Sequence, residues 1–282
     1  ISNELKSELL KKLNLNFKFS KNLNYNFFPR PHFTSNETTI FSNNQEISKI
    51  KKIKIYVSLE NLFSLKNVKV NDVVIENANF NLNNKNYSFF LKILDNDFYD
   101  IELKIKNSNI FFKNKKNEVL FINKILNMKY YYDTNELKNI IILKNEIFNI
   151  PYELELYKNK SQNKILSKLN FNFLKLQIEN ELIYVDDIKT GEANLTFDKL
   201  KSKATYEANK DSFNIKFFDK IENPKFIFDG RFNFQPFYSN LNGRMQELNL
   251  SYLFDGNSFI SQALKTEIFN NKNIDFKLNL QA

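Results

Sequence analysis

An alternation of apolar and polar residues runs through most of this sequence and constrains its fold more than any other feature. From Leu15 onward, apolar side chains recur at every second position, as in residues 15–19, 53–59 and 213–217. A period of two is typical of β-strands, which place successive side chains on opposite faces of a sheet. The sequence therefore predicts strands with one apolar face and one face in water.

The same alternation predicts strands along the rest of the chain. The turns must be made with little glycine or proline, because the chain has only 4 Gly and 5 Pro, and Asn-rich segments such as 83–86 take that role. Short polar connections predict antiparallel meander pairing, since parallel pairs need long crossovers. The further predicted strands are residues 67–72, 78–82, 101–105, 152–156, 169–173, 174–178, 193–197, 204–208, 226–228, 232–234, 248–252 and 274–280.

Residues 1–13 read as an amphipathic helix. Leu5, Leu9 and Leu13 fall four apart on one face, Glu4 lies in the first turn, and lysines follow in the last turn. Minor helices are predicted at 59–65 and 258–269. The fold class is therefore mainly β: an elongated, twisted antiparallel sheet over residues 15–282, in a single domain spanning 1–282. So little helix implies that the apolar face packs on itself, curls, or stays open as an apolar groove.

Charge and composition narrow the choice of partners. The net charge is +9, but Arg30, Arg231 and Arg244 are the only arginines, whereas nucleic-acid readout favours arginine. Nucleic acid is therefore not a predicted partner, while attraction to anionic lipid surfaces needs only charge. No stretch has the roughly 18 apolar residues of a membrane span. Because the chain begins at Ile1 and not at Met, we expect a fragment of a longer protein with its anchor upstream.

The sequence offers no constellation for catalysis. His32 is the sole histidine, and with no Cys there is neither a His-pair nor a thiolate metal site. His32 lies in a proline-flanked aromatic segment, where a structural role is expected. The carboxylates at 95, 97, 186 and 187 lack the spacing of a calcium loop and are interpreted as solvated turns. The prediction is no enzyme, no metal and no cofactor.

Two lysine runs, at 49–54 and 113–116, leave two interpretations open. They either bind lipid headgroups or phosphate, or they guard sheet edges against aggregation. The tyrosines at 130–132 do not form one stacking platform, because consecutive residues of a strand point to opposite faces.

Several segments follow a recognisable order. Residues 26–31 read Asn-Phe-Phe-Pro-Arg-Pro, residues 50–59 follow Ile-x-x-Ile-x-Ile-x-Val-x-Leu, and residues 73–80 read Val-Val-Ile-Glu-Asn-Ala-Asn-Phe. With the leading helix, this order resembles the N-terminal region of the AsmA family, which includes TamB-like proteins. Residues 224–236 and 273–278 are similar to later strands of that family. The chain departs from the family in lacking a glycine before the Phe-Pro step and a proline in 73–80.

The resemblance implies the periplasmic part of a protein anchored in the bacterial inner membrane of a Gram-negative cell. That family of β-groove proteins is linked to phospholipid transport and outer-membrane biogenesis, so a phospholipid or other acyl-chain lipid is the implied partner, with envelope proteins as further partners. An alternative is a structural or assembly factor of the envelope with a closed β core. The predicted lipid-contacting residues are Ile53, Ile55, Val57, Leu169, Phe171, Phe173, Phe213, Ile215, Phe217, Phe226, Phe228, Ile274, Phe276 and Leu278.

Overall fold

The computed structural model confirms a mainly β fold. The residues it describes are 1–13, 15–20, 23–42, 45–62, 68–83, 86, 101–114, 116–159, 163–185, 188–197, 200–209, 211–219, 224–234, 237–246, 261, 264–265 and 275–281. They form one α-helix, short 3-10 turns and 17 strands in mixed β-sheet. The bounds are α1 (Ser2–Leu13), β1 (Asn16–Lys18), β2 (Leu23–Asn26), β3 (His32–Ser42), β4 (Gln45–Val57), β5 (Val70–Leu82), β6 (Glu102–Lys113), β7 (Val119–Asp133), β8 (Lys138–Ile147), β9 (Ile150–Asn159), β10 (Lys164–Phe171), β11 (Leu176–Val185), β12 (Ile188–Phe197), β13 (Leu200–Ala208), β14 (Ser212–Phe218), β15 (Phe226–Phe234), β16 (Phe237–Met245) and β17 (Asp275–Gln281).

The chain divides into two compact units. Unit 1 is Ile1–Asn145 and unit 2 is Glu146–Ala282, and each is described by itself. The expectation of a single domain over residues 1–282 stays a prediction.

Helix α1 covers part of the apolar sheet face of unit 1. Leu5, Leu9 and Leu13, the face predicted from their spacing, are all fully buried. Burial of each leucine stabilises the fold by roughly 1.5–3 kcal/mol. The last turn is tied to the sheet because Lys12 Nζ donates to the carbonyl oxygen of Val70 at 3.1 Å. The helix therefore supplies much of the cover that this face needs.

The sheet of unit 1 runs β3–β4–β5–β6–β7, and β1 and β2 pair with opposite ends of β3. The pairing between neighbouring strands is interrupted at the same level across the sheet, and one residue of each strand lies at the centre of this interruption. These residues, which we call the corner row, are Glu37, Lys51, Asn77, Asn107 and Leu126.

Three members of the corner row have left-handed backbone: φ is 57° at Glu37, 55° at Asn77 and 48° at Asn107. The alternation of buried and exposed side chains changes phase there, so Ile50 and Ile53 are both buried although they are three residues apart. On a regular strand such a pair would face opposite sides. A left-handed residue bends a strand, as in a β-bulge. The corner row therefore lets the strands bury apolar residues on both sides of the bend.

Small hydroxyl side chains satisfy backbone groups beside the corner row. Ser108 Oγ accepts a hydrogen bond from the amide of Ala78 at 3.0 Å and donates to the carbonyl oxygen of Lys106 at 2.8 Å. On β3, Thr38 Oγ1 donates to Ser35 Oγ at 3.1 Å. Because buried polar groups are costly when unpaired, these contacts explain why Ser and Thr replace apolar residues at otherwise buried positions.

Unit 2 is a sequential ladder from β9 to β16 of antiparallel neighbours, followed by β17. The prediction of antiparallel pairing throughout is wrong at two places. β5 pairs in parallel with β6, and β16 pairs in parallel with β17. The connections there, residues 83–101 and 246–274, are long enough for the crossover that parallel strands require.

Predicted element boundaries differ from the structure near Phe173. The segment 169–173 was predicted as one strand, but β10 ends at Phe171 and Asn172–Leu174 is a 3-10 turn, because Lys175 is left-handed with φ 50° and Leu174 turns into the core. The 3-10 turn Leu59–Leu62 lies in the predicted minor helix at 59–65. The strand at 248–252, most of the helix at 258–269 and the carboxylates at 95, 97, 186 and 187 lie outside the described residues.

We predict that Asn77→Val lowers the free energy of unfolding by about 1–2 kcal/mol, because a β-branched residue cannot adopt left-handed backbone without strain. The matched control is Asn81→Val, on the same strand with ordinary backbone, which should change stability little. Urea unfolding of both variants is the measurement. Equal losses in the two variants would contradict the role of the corner row.

Candidate functional site

Unit 2 presents a two-faced sheet. Alternation along each strand and the register between strands place Leu169, Ile178 and Leu195 in one cross-strand row, and Tyr206, Ile215 and Leu241 in another. All of these side chains share one face, which we call the apolar face. The sequence-predicted residues on it are Leu169, Phe171, Phe213, Ile215, Phe217, Phe226, Phe228 and Leu278.

The large side chains of the apolar face are only partly covered by protein. Leu169, Phe171, Phe213, Ile215 and Phe217 are half-buried. At the last strand Leu278 is 40% exposed, and Leu280 is 37% exposed. The buried positions of this face include small residues such as Ala204, at 1% exposure, and also Lys158, at 6%. Among the described residues of unit 2, these large side chains of the apolar face are therefore half-buried or exposed.

Four predicted lipid contacts lie elsewhere. Ile53 and Ile55 are 0% exposed and Val57 is 3% exposed, so the core of unit 1 encloses them in protein. Phe173, 49% exposed, lies in the 3-10 turn after β10 and not on the sheet. Ile274 is outside the described residues; Phe276 belongs to β17, and only its backbone position is described.

Several members of the apolar face were not predicted as contacts. They obey the same alternation and could have been found by pairing each predicted strand with its neighbour, except on β16, where no strand was predicted. These residues include Leu154, Ile178, Leu195, Tyr206, Phe232 and Leu241.

Glycines in the sheet make room for aromatic rings that lie across them. The ring of Tyr206 lies over Gly191 of the adjacent strand, and the ring of Phe228 lies over Gly243. A Cβ on either glycine would collide with the ring. An aromatic side chain over a cross-strand glycine shields backbone that would otherwise be open. The centre of the apolar face is therefore built from flat rings over bare backbone.

A polar ladder crosses this apolar face. Tyr206 Oη reaches over β12 and donates to Asn180 Oδ1 at 2.6 Å, and Asn180 Nδ2 donates to Ser167 Oγ at 3.2 Å. Burial raises the pKa of the Tyr206 phenol, although the hydrogen bond to Asn180 acts in the opposite direction. The phenol therefore stays neutral at ordinary pH and holds three strands together across the face.

The opposite face of unit 2 is mainly polar, although Leu166, 45% exposed, and Ile183, 46% exposed, also lie on it. One cross-strand row there contains Glu192, Thr205, Lys216, Asp229 and Asn242. An open depression of about 490 Å³ lies over this row. Polar and charged residues, among them Lys216, Asp229 and Arg231, form most of its lining, although Tyr206 and Ile215 also contribute to it. We interpret it as a solvated surface.

The other candidate residues have structural surroundings. His32 is buried at 7% exposure, donates from Nδ1 to the carbonyl oxygen of Arg30 at 2.7 Å, and packs on Tyr56. Lys51 and Lys52 lie on the exposed side of the bend in β4, while Lys54 Nζ pairs with Glu76 Oε1 at 3.0 Å. The described residues contain no group of three or more side chains suited to hold a metal ion.

Neither a protein-family model nor a curated protein matches this chain. Within the part of the chain that the structure describes, no helix is long and apolar enough to cross a membrane.

We predict that Tyr206 makes stability depend on pH in the alkaline range. Because its folded pKa is raised, its contribution is fully present below the unfolded pKa of about 10 and is lost as pH rises through the folded value. Tyr206→Phe should show a smaller loss of unfolding free energy above that pH than the parent protein. Urea unfolding at several pH values measures how the free energy of unfolding changes with pH in the parent protein and in Tyr206→Phe.

Gly191→Ala is the companion variant, because its new methyl group collides with the Tyr206 ring and forces the phenol out of its buried position towards water. Ultraviolet difference titration against Tyr206→Phe should then show Tyr206 ionising nearer to its ordinary pKa. An unchanged titration curve would contradict the described packing.

Proposed function

We propose that the apolar face of unit 2 binds the acyl chains of a phospholipid. The observation that supports this most is the half-burial of large side chains such as Phe213, Ile215 and Phe217, whereas the core side chains of unit 1 are buried. A solvent-facing sheet of this size normally needs a cover. An acyl chain has the right chemistry to supply it.

The energetics require no specific polar site. Each buried methylene contributes about 0.8 kcal/mol, so roughly half of a long acyl chain offsets the loss of translational freedom on binding. Neighbouring rings make the surface continuous: the ring centroids of Phe213 and Tyr206 are 5.2 Å apart, and those of Phe213 and Phe232 are 5.7 Å apart. We therefore expect the length and saturation of the acyl chain, more than the lipid headgroup, to determine the affinity of this face for lipid.

The cellular setting of the proposal rests on the resemblance to the AsmA family. On that basis we propose that the chain lies in the periplasm, joined to the bacterial inner membrane by a segment upstream, and serves phospholipid transport and outer-membrane homeostasis. Envelope proteins are the proposed further partners. The alternative, a structural or assembly factor with a closed β core, is favoured by unit 1, where Ile53, Ile55 and Val57 are enclosed.

The test uses two adjacent residues on opposite faces of β14. Ile215→Asp places a charge on the apolar face and should reduce bound phospholipid by about tenfold or more, since a desolvated carboxylate opposes acyl chains. Asn214→Asp makes the same new charge on the polar face and should leave binding unchanged. Native mass spectrometry of gently purified protein and uptake of a fluorescent phospholipid are the measurements.

Urea unfolding separates an open face from a closed core. Ile215→Asp should cost less than the roughly 3–5 kcal/mol typical of a large truncation in a core, because the carboxylate can reach water. Ile53→Asp, in the enclosed core of unit 1, should prevent folding. Parent protein that carries no lipid and takes up none would refute the proposal, and an Ile215→Asp protein that fails to fold would favour the closed-core alternative.

A further inference from the structure

We propose that a rigid aromatic turn at one end of unit 1 docks on the surface of an anionic lipid bilayer. The turn joins β2 to β3 and carries Phe27, 63% exposed, and Phe28, 88% exposed. Leu59, 68% exposed, lies on the 3-10 turn after β4 at the same end. We call these three side chains the aromatic tip.

Hydrogen bonds hold the two turns of the aromatic tip together. The amide of Val57 donates to the carbonyl oxygen of Pro31 at 3.0 Å. Tyr25 Oη donates to the carbonyl oxygen of Asn61 at 2.9 Å, and the Tyr25 ring packs edge-on against Phe27 with centroids 5.0 Å apart. The two turns therefore hold the three exposed side chains at the same end of unit 1.

Packing of Arg30 fixes the backbone of the turn. Its guanidinium lies 2.7 Å from Asp72 Oδ2 and 4.5 Å from the centroid of the Tyr56 ring. The prolines at 29 and 31 remove backbone freedom on both sides of it. Phe28 is thus held in water by a turn that is already ordered, so docking costs little further conformational entropy.

The size of the tip favours a membrane over a protein partner. A large side chain such as phenylalanine has about 150–250 Å² to bury, and these two phenylalanines and one leucine are only partly exposed, so together they offer roughly 400 Å². A stable protein interface needs about 800 Å² from each partner. Shallow insertion into a bilayer needs only a few apolar side chains and a supporting charge.

The charge of the chain suits an anionic surface. The net charge is +9, and exposed Lys69 lies beside the 3-10 turn, where its backbone amide donates to Asn61 Oδ1 at 3.1 Å. The negative charge of Glu60 on the same turn offsets the positive charge of Lys69. The attraction to an anionic membrane therefore comes from the net charge of the whole chain. Anionic lipid is therefore expected to bind more tightly than neutral lipid, with the aromatic tip entering the interface.

The experiment exploits the absence of tryptophan from the sequence. Phe28→Trp places a single tryptophan at the tip, and Leu137→Trp places a single tryptophan at the exposed turn between β7 and β8. On vesicles of phosphatidylcholine with phosphatidylglycerol, emission of the Phe28→Trp protein should shift to the blue and be quenched by brominated lipid. Emission of the Leu137→Trp protein should not change.

Loss of the tip should weaken binding. Phe28→Ser should reduce cosedimentation with the same vesicles by about tenfold, while Leu137→Ser should not. Matching thermal unfolding midpoints would show that both variants fold. Equal cosedimentation of Phe28→Ser and parent, or a parent that does not bind these vesicles, would overturn the proposal. A parent dimer that Phe28→Ser converts to monomer would assign the tip to a second copy of the chain and also overturn it. None of these outcomes affects the separate proposal that unit 2 binds acyl chains.

Discussion

The need to cover the apolar side of a two-faced sheet governs this structure. Alternating strands pair well, but each leaves a row of apolar side chains that water disfavours. Unit 1 meets the need with protein: helix α1 buries its leucines, and the corner row bends the strands so that apolar residues on both sides of the bend are enclosed. Unit 2 leaves large side chains half-covered. The proposed function depends on this difference.

The half-covered face is ordered by its own side chains. Tyr206 and Phe228 lie over glycines of neighbouring strands, and the hydrogen bonds from Tyr206 to Asn180 and on to Ser167 link three strands. Such a surface can keep its shape without a second protein layer. These hydrogen bonds also pair the polar atoms that lie among the apolar side chains of this face, where an unpaired polar group would destabilise the fold.

Much of the fold follows from sequence periodicity. The helix was predicted with its correct buried face, because Leu5, Leu9 and Leu13 fit a period of 3.6, and most strands were predicted from a period of two. The corner row was not predicted, since it depends on several strands bending at one level. Its trace in the sequence is the i, i+3 spacing of Ile50 and Ile53, and likewise of Ile75 and Ala78.

The candidate site was predicted in part. Alternation placed Phe213, Ile215 and Phe217 on one face, but periodicity cannot show what covers a face, and it therefore grouped enclosed Ile53 with half-buried Ile215. Phe173 was assigned to a strand because nothing in the local pattern indicates the 3-10 turn at Asn172–Leu174 or the left-handed Lys175 that follows it. Parallel pairing depends on long-range crossovers, which short-range patterns do not encode.

The two parallel pairs also determine how this chain assembles over time. Most neighbouring strands are joined by short turns, so their pairing can spread from one hairpin to the next at little entropic cost. At β5–β6 and β16–β17 this spread must wait until residues 83–101 and 246–274 have closed into crossovers. Non-local pairing slows folding. These two steps are therefore expected to limit the folding rate, and a strand edge such as that of β5 stays open to intermolecular pairing until its partner arrives.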